Sequence, residues 1–136
     1  MQERKIRMSK DELIQFLDQN YISLETYKKN GQPVRTPVWF VAEKGIFYMR
    51  TDKRSGKVMR IRNNPHVRLA PCDIRGQVKG EWIDGEAKVL NTLDSRNVHE
   101  LLNQKYGVRG RLLGIMYKFR KIEFIVISIS FRTSVK

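Results

Sequence analysis

The sequence predicts a mainly-β fold: six largely antiparallel strands forming a closed or partly open barrel, with helices at its edges. Three observations carry this. Six segments read as strands, by period-two alternation or by a continuous apolar run. The first three are joined by turns too short for a parallel crossover, Lys29-Asn30-Gly31 and Glu43-Lys44-Gly45. Helical periodicity is confined to the start, to one short stretch after the third strand, and to the region before the last strand.

Ser9-Lys-Asp-Glu12 reads as a capping box, with Met8 and Leu13 at staple spacing. Leu13, Ile14, Phe16 and Leu17 supply the apolar face of a first helix ending near Asn20. The period then becomes two. Ile22, Leu24 and Thr26 alternate with Ser23, Glu25 and Tyr27. Val34, Thr36, Val38 and Phe40 alternate with Arg35, Pro37, Trp39 and Val41, and Ile46–Thr51 completes a three-stranded meander. Ser55–Asn63 is expected to be a short helix stopped by Asn63-Asn64-Pro65. Strands over Val67–Cys72 and Glu81–Leu90 flank the loop Asp73–Gly80. Thr92–Tyr106 reads as a helix closed by Gly107, and Val108–Lys121 as a second amphipathic helix or helical loop. The final run Ile122–Arg132, IEFIVISISFR, is apolar enough to be a central strand.

At 136 residues the chain makes one domain, 1–136. No apolar run approaches the roughly 20 residues that span a bilayer, and the N-terminus has no signal-peptide apolar region, which predicts a cytoplasmic protein. A lone cysteine, Cys72, allows no internal disulfide. Two histidines and one cysteine argue against a closed zinc site, so no metal site is assigned. Cys72 reads as a small buried hydrophobe, and His66 and His99 as structural or exposed side chains. The formal charge of +13 will attract polyanions without saying which.

The charge is concentrated. Between Arg50 and Arg62 stand Lys53, Arg54, Lys57 and Arg60 as well, against one acid, Asp52. A strand end followed by a helix start presents free backbone N–H groups and the positive end of a helix dipole. Thr51 and Ser55 add hydroxyls, Gly56 admits a ligand to the backbone, and Lys57 adds a charged donor. This chemistry suits a phosphate, although no Walker loop is present.

The segment resembles the flavin-binding split-barrel family, that of pyridoxamine phosphate oxidase and its relatives. In that family the third strand ends in Thr, a Ser-Arg-Lys element opens the next helix, and the helix closes on Asn-Asn-Pro. Thr51, Ser55, Lys57 and Asn63-Asn64-Pro65 stand at the same spacing. Arg35-Thr-Pro-Val-Trp-Phe40 matches the Arg-led segment beside the flavin, and the likeness covers nearly the whole chain. Two positions depart from it: Gly56 replaces an Arg, and Phe40 replaces a flavin-contacting Lys. The oxidase's C-terminal substrate signature is not visible. The pattern is more similar to the smaller branch of deazaflavin-dependent oxidoreductases, which use coenzyme F-420, some members taking FMN.

The resemblance implies a six-stranded split barrel, a homodimer with cofactor sites at its interface, and an oxidoreductase passing hydride between the cofactor and a small-molecule substrate. It assigns cofactor binding to Arg35, Thr36, Pro37, Val38, Trp39, Arg50, Thr51, Ser55, Gly56 and Lys57, with Thr51, Ser55 and Lys57 on the phosphate. No catalytic residue is assigned. Trp82 is expected in the core or a dimer interface, and the substrate near Tyr106 and the basic segment Lys105–Lys121. F-420 is favoured over FMN because Gly56 leaves room, and one fewer positive charge, beside the phosphate. The rival is a non-enzymatic flavin-binding or nucleic-acid-binding barrel. The absence of an RNP-like aromatic motif counts against specific nucleic-acid binding and leaves only a non-specific, charge-driven kind.

Overall fold

The computed structural model describes residues 12, 14–91, 96–107 and 122–131. They form β1 (Tyr21–Tyr27), β2 (Pro33–Val38), β3 (Val41–Glu43), β4 (Ile46–Asp52), α1 (Gly56–Asn63), β5 (His66–Cys72), β6 (Ile83–Val89), α2 (Arg96–Tyr106) and β7 (Phe124–Phe131). All strand pairings are antiparallel, in the order β2-β1-β5-β6-β7-β4-β3.

The expected second strand is divided. Val34–Val38 pairs with β1, and Val41–Glu43 pairs with β4 at the opposite edge of the sheet. Only Trp39 and Phe40 lie between, and Val38 to Val41 spans at most about 10 Å of extended chain. The sheet must therefore curl until its two edges nearly meet, with one bent segment supplying both. This is the split barrel. Seven hydrogen-bonded strands replace the six expected because the chain changes edges at Phe40.

The barrel interior follows from alternation. Phe47, Met49 and Thr51 on β4, Ile22 and Leu24 on β1, Val67 and Leu69 on β5, and Ile127 and Ile129 on β7 are buried. Phe40 joins them at 2 % exposure, packed 5.1 Å from the Phe47 ring. Val58 and Ile61 place one face of α1 across the barrel end. A second cluster outside the sheet joins Val98, Leu102 and Tyr106 of α2 to Val126. The β3–β4 hairpin turns on Lys44 and Gly45, at φ 52° and 79°, the pair of positive values that a two-residue type I′ turn requires.

The first helix needs correction. Among the described residues of the first segment only Phe16 is buried, at 5.1 Å edge-on to Phe47, whereas Ile14 and Leu17 stay exposed; Leu13 lies outside the described residues. Residues 15–18 form a turn, and Asp18 at φ 61° redirects the chain into β1, so Ile14 and Leu17 do not follow Phe16 to the barrel end. The capping residue Ser9, the staple pair and the segment Val108–Lys121 lie outside the described residues. Among the described residues no helix is long and apolar enough to cross a membrane.

Candidate cofactor site

The polar end of the site is made where β4 gives way to α1. The Asp52 carboxylate accepts from the Arg54 N–H at 2.9 Å, and Ser55 N–H donates to the Asp52 carbonyl at 2.9 Å. This compact turn carries the chain into the helix with Ser55 at its N-cap. Ser55 does not cap. Its hydroxyl makes no bond to the helix backbone and stands 3.3 Å from the Thr51 hydroxyl. Lys57 Nζ donates to the same Thr51 oxygen at 3.4 Å. Two hydroxyls and an ammonium thus converge beside N–H groups that no side chain caps. Burial, then the neighbouring Arg60, lowers the Lys57 ammonium from the usual lysine range, against a weaker upward pull from Asp52.

These groups line a partly open cavity of about 420 Å³. Pro37, Val38 and Trp39 form one wall; Arg50 and Asp52 continue from Thr51; Tyr21, Leu102 and Phe124 complete it. An aromatic, partly apolar slot ending in hydroxyls and cations suits a flat ring carrying an anionic tail.

Seven of the ten expected residues meet here: Pro37, Val38, Trp39, Arg50, Thr51, Ser55 and Lys57. Arg35, Thr36 and Gly56 do not line the cavity. Arg35 is the cross-strand partner of Glu25, and its Nε sits 2.7 Å from that carboxylate while the guanidinium lies 4.6 Å over the Trp82 ring. Glu25 is 2 % exposed, with the Tyr27 hydroxyl donating to it at 2.5 Å and Arg68 ion-paired to it at 3.7 Å. Arg35 therefore neutralises a buried acid, with Arg68 on the same carboxylate. Thr36 faces the way Val38 does but sits two residues further from the cavity, opposite Leu24.

Gly56 opens the helix without leaving free space. A Cβ there would lie 2.6 Å from Arg60 Nη1. The gap expected over Gly56 is filled by the Arg60 guanidinium. The preference for F-420 that rested on Gly56 loses that premise.

Tyr106 also departs from expectation. It does not mark an open substrate position but clamps the crossing between barrel edges. Its hydroxyl accepts from Phe40 N–H at 2.9 Å and lies 2.9 Å from the Phe40 carbonyl and 2.8 Å from that of Asn20. Burial, chiefly, raises its phenol well above the usual range. Lys105 Nζ donates to the Phe40 carbonyl at 2.8 Å and sits 3.5 Å over the Phe40 ring; burial draws it down to about 8. The remaining basic residues of the expected substrate rim lie outside the described residues.

Sequence reasoning missed Tyr21, Asp52, Leu102 and Phe124 as cavity walls. Leu102 was marked inward by its helical period, and Asp52 was visible as the lone acid of the basic run; Tyr21 and Phe124 had no signal beyond standing at strand starts. A second cavity, of about 710 Å³, lies beyond Phe124 and is lined by Lys53, Arg62, Asn91 and His99 over an apolar floor. Arg50 on the first cavity and His99 on the second touch, Nη1 to Nδ1 at 3.3 Å. Because arginine only donates, His99 Nδ1 accepts, and burial together with Arg50 lowers its pKa.

The sequence matches the family described as pyridoxamine 5'-phosphate oxidase over residues 9–130. No curated protein matches it. Among solved structures, the conserved hypothetical protein Rv2991 from Mycobacterium tuberculosis superposes with a TM-score of 0.68 at 20% identity, over 98% of this chain and 87% of that one. A FAD-binding protein from Mesorhizobium loti gives 0.61 at 17%, over 98% and 93%. The heme storage protein HutZ from Vibrio cholerae gives 0.66 at 13%, over 95% and 93%. At these identities the likeness to solved structures is one of fold.

Proposed function

The chain belongs to the pyridoxamine 5'-phosphate oxidase family, and on that premise we propose that it binds a flavin-type cofactor, FMN or coenzyme F-420, and acts as an oxidoreductase on a small molecule. The observation that carries this is the convergence of Thr51, Ser55 and Lys57 at one end of a cavity walled by Trp39 and Phe124. The hydroxyls of Thr51 and Ser55 and the ammonium of Lys57 would hold the cofactor phosphate, aided by the uncapped N–H groups of α1. Pro37, Val38 and Trp39 would bear on the ring from one side. When bound, the cofactor supplies the hydride chemistry; the protein contributes binding, orientation and exclusion of water. That division is consistent with a cavity in which, among the described residues, no paired nucleophile and base stands out.

The substrate would enter from the larger cavity beyond Phe124, where Lys53 and Arg62 favour an anionic molecule. A homodimer, with a second protomer closing the open side of each cavity, is part of this reading; sedimentation of the protein at micromolar concentration tests it. The FAD-binding relative favours the flavin reading, and HutZ raises heme as the rival. Neither histidine lines the smaller cavity; His99 lines only the larger one.

Absorbance spectra of the purified protein titrated with FMN, F-420 and hemin decide between them. Saturable flavin binding weakened by Lys57→Ala supports the proposal. A Soret shift lost in His99→Ala, with no flavin bound, overturns it. Nucleic acid should bind only through net charge, with steep salt dependence and no sequence preference.

A further inference from the structure

We propose that Arg60 binds the phosphate alongside Lys57, and that Gly56 is what permits it; this rests on the cofactor reading above. The Arg60 side chain runs back along α1 toward the helix start, the direction in which helix side chains lean. There its Nη1 occupies the space that any side chain at position 56 would enter, 2.6 Å from the site of a Cβ.

The guanidinium is held rather than free to wander. Its Nε donates to the Thr26 hydroxyl at 2.7 Å, and Thr26 is 1 % exposed. That anchor uses one donor. Among the described residues nothing accepts from Nη1 or Nη2, and no carboxylate forms an ion pair with Arg60 or Lys57. Two cations are thus fixed near each other, close enough for Arg60 to disfavour the charged form of Lys57. Asp52 offsets this only in part and forms no ion pair with either, and like charges held together in this way are stabilised by an anion. A planar guanidinium whose Nη1 and Nη2 have no acceptor among the described residues can match a phosphate bidentately, which an ammonium cannot do. Arg60 does not itself line the cavity; it reaches the site over Gly56, which stands between the lining residues Ser55 and Lys57. The ligand class is a phosphomonoester or phosphodiester attached to the ring in the cavity and reaching past Ser55 and Lys57.

The test separates phosphate recognition from ring recognition. FMN and riboflavin share a ring and differ by the phosphate; F-420 and its deazariboflavin chromophore form the corresponding pair if F-420 is the cofactor. Arg60→Ala should weaken FMN about tenfold and leave riboflavin unchanged, the latter also reporting that the fold survives. Gly56→Ala, which keeps Arg60 but displaces it, should lose affinity in the same direction. Gly56→Ala combined with Arg60→Ala should be no weaker than Arg60→Ala alone, and Arg60→Lys should recover only part of the loss.

Equal losses for FMN and riboflavin, no loss at all, or additive losses in the double variant would each overturn the proposal. If the wild-type protein binds neither ring, the cofactor reading fails by itself. Inorganic phosphate then decides for Arg60: saturable shifts of the Gly56 and Lys57 amide resonances that disappear in Arg60→Ala support it, and their absence from the wild type sinks it.

Discussion

The Tyr106 ring lies flat against Trp39, with centroids 4.2 Å apart and planes within 5°. The same tyrosine's hydroxyl holds both backbone polar groups of Phe40. One side chain thereby fixes the step between barrel edges and the orientation of the indole that walls the cavity.

Tyr106→Phe keeps the stack but leaves the Phe40 N–H without its partner in a buried place. It should destabilise the protein by about 1–3 kcal/mol. Tyr106→Ala removes the stack as well and should red-shift the Trp39 emission. Urea melts and tryptophan fluorescence read the two effects. Equal stability of the phenylalanine variant would remove the clamp.

Lys57→Ala should weaken cofactor binding by about 1.5–3 kcal/mol, and Thr51→Ala or Ser55→Ala by about 0.5–1.5 kcal/mol each. The ammonium must be charged to hold a phosphate, and its pKa is lowered in the free protein. Affinity should therefore fall as pH rises toward the alkaline side, beginning below the ordinary lysine value. Lys57→Ala should lose that pH dependence. Titrations at several pH values check both statements; unchanged affinity in the variant would remove Lys57 from the phosphate.

Glu25 concerns stability rather than binding. Burial raises its carboxyl, but the Tyr27 hydrogen bond and the Arg35 and Arg68 guanidinium groups outweigh it and hold the pKa below 4.5. The folded state therefore takes up its proton later than the unfolded chain does. Its contribution is present above the unfolded pKa and is lost as pH falls through the folded one. Glu25→Gln should flatten the acid limb of a stability-against-pH curve. An unaltered acid limb would assign that limb to other carboxylates.

Cys72 is 1 % exposed, and burial, with Asp73 adding to it, raises the thiol above its usual range. It should resist a thiol reagent in native buffer and react fully in denaturant. Fast native labelling would contradict this burial.

The sequence was most informative where period and composition speak alone. The run FIVISISF alternates over its second half, with Ile127, Ile129 and Phe131 buried and Ser128 and Ser130 between them, and is continuously apolar over its first half because Val126 packs against α2 on the other face. Thr51, Ser55 and Lys57 were legible because their proximity depends only on a strand end and the first turn of the following helix. What failed depended on register and reach. Arg35 goes to Glu25 because strand pairing sets them opposite one another, which no spacing within β2 reveals. Phe40 kept the parity of Val38, so nothing in the alternation marked the change of edge. Arg60 looked like one cation among several; its importance comes from a side chain folding back over a residue that has none.

The central position of β7 also bears on how the chain is made. Until Phe124–Phe131 leaves the ribosome, the sheet exists only as two unjoined parts, β2-β1-β5-β6 and β4-β3, each ending in an unpaired strand. The same strand delivers Phe124 to the cavity wall. A nascent chain halted after α2 thus has neither a continuous sheet nor a finished site, and it offers the bare edges of β4 and β6 to any passing strand. Arrest at that length should yield protease-sensitive, chaperone-bound species, and release of the last strand should convert them to the resistant barrel in one step.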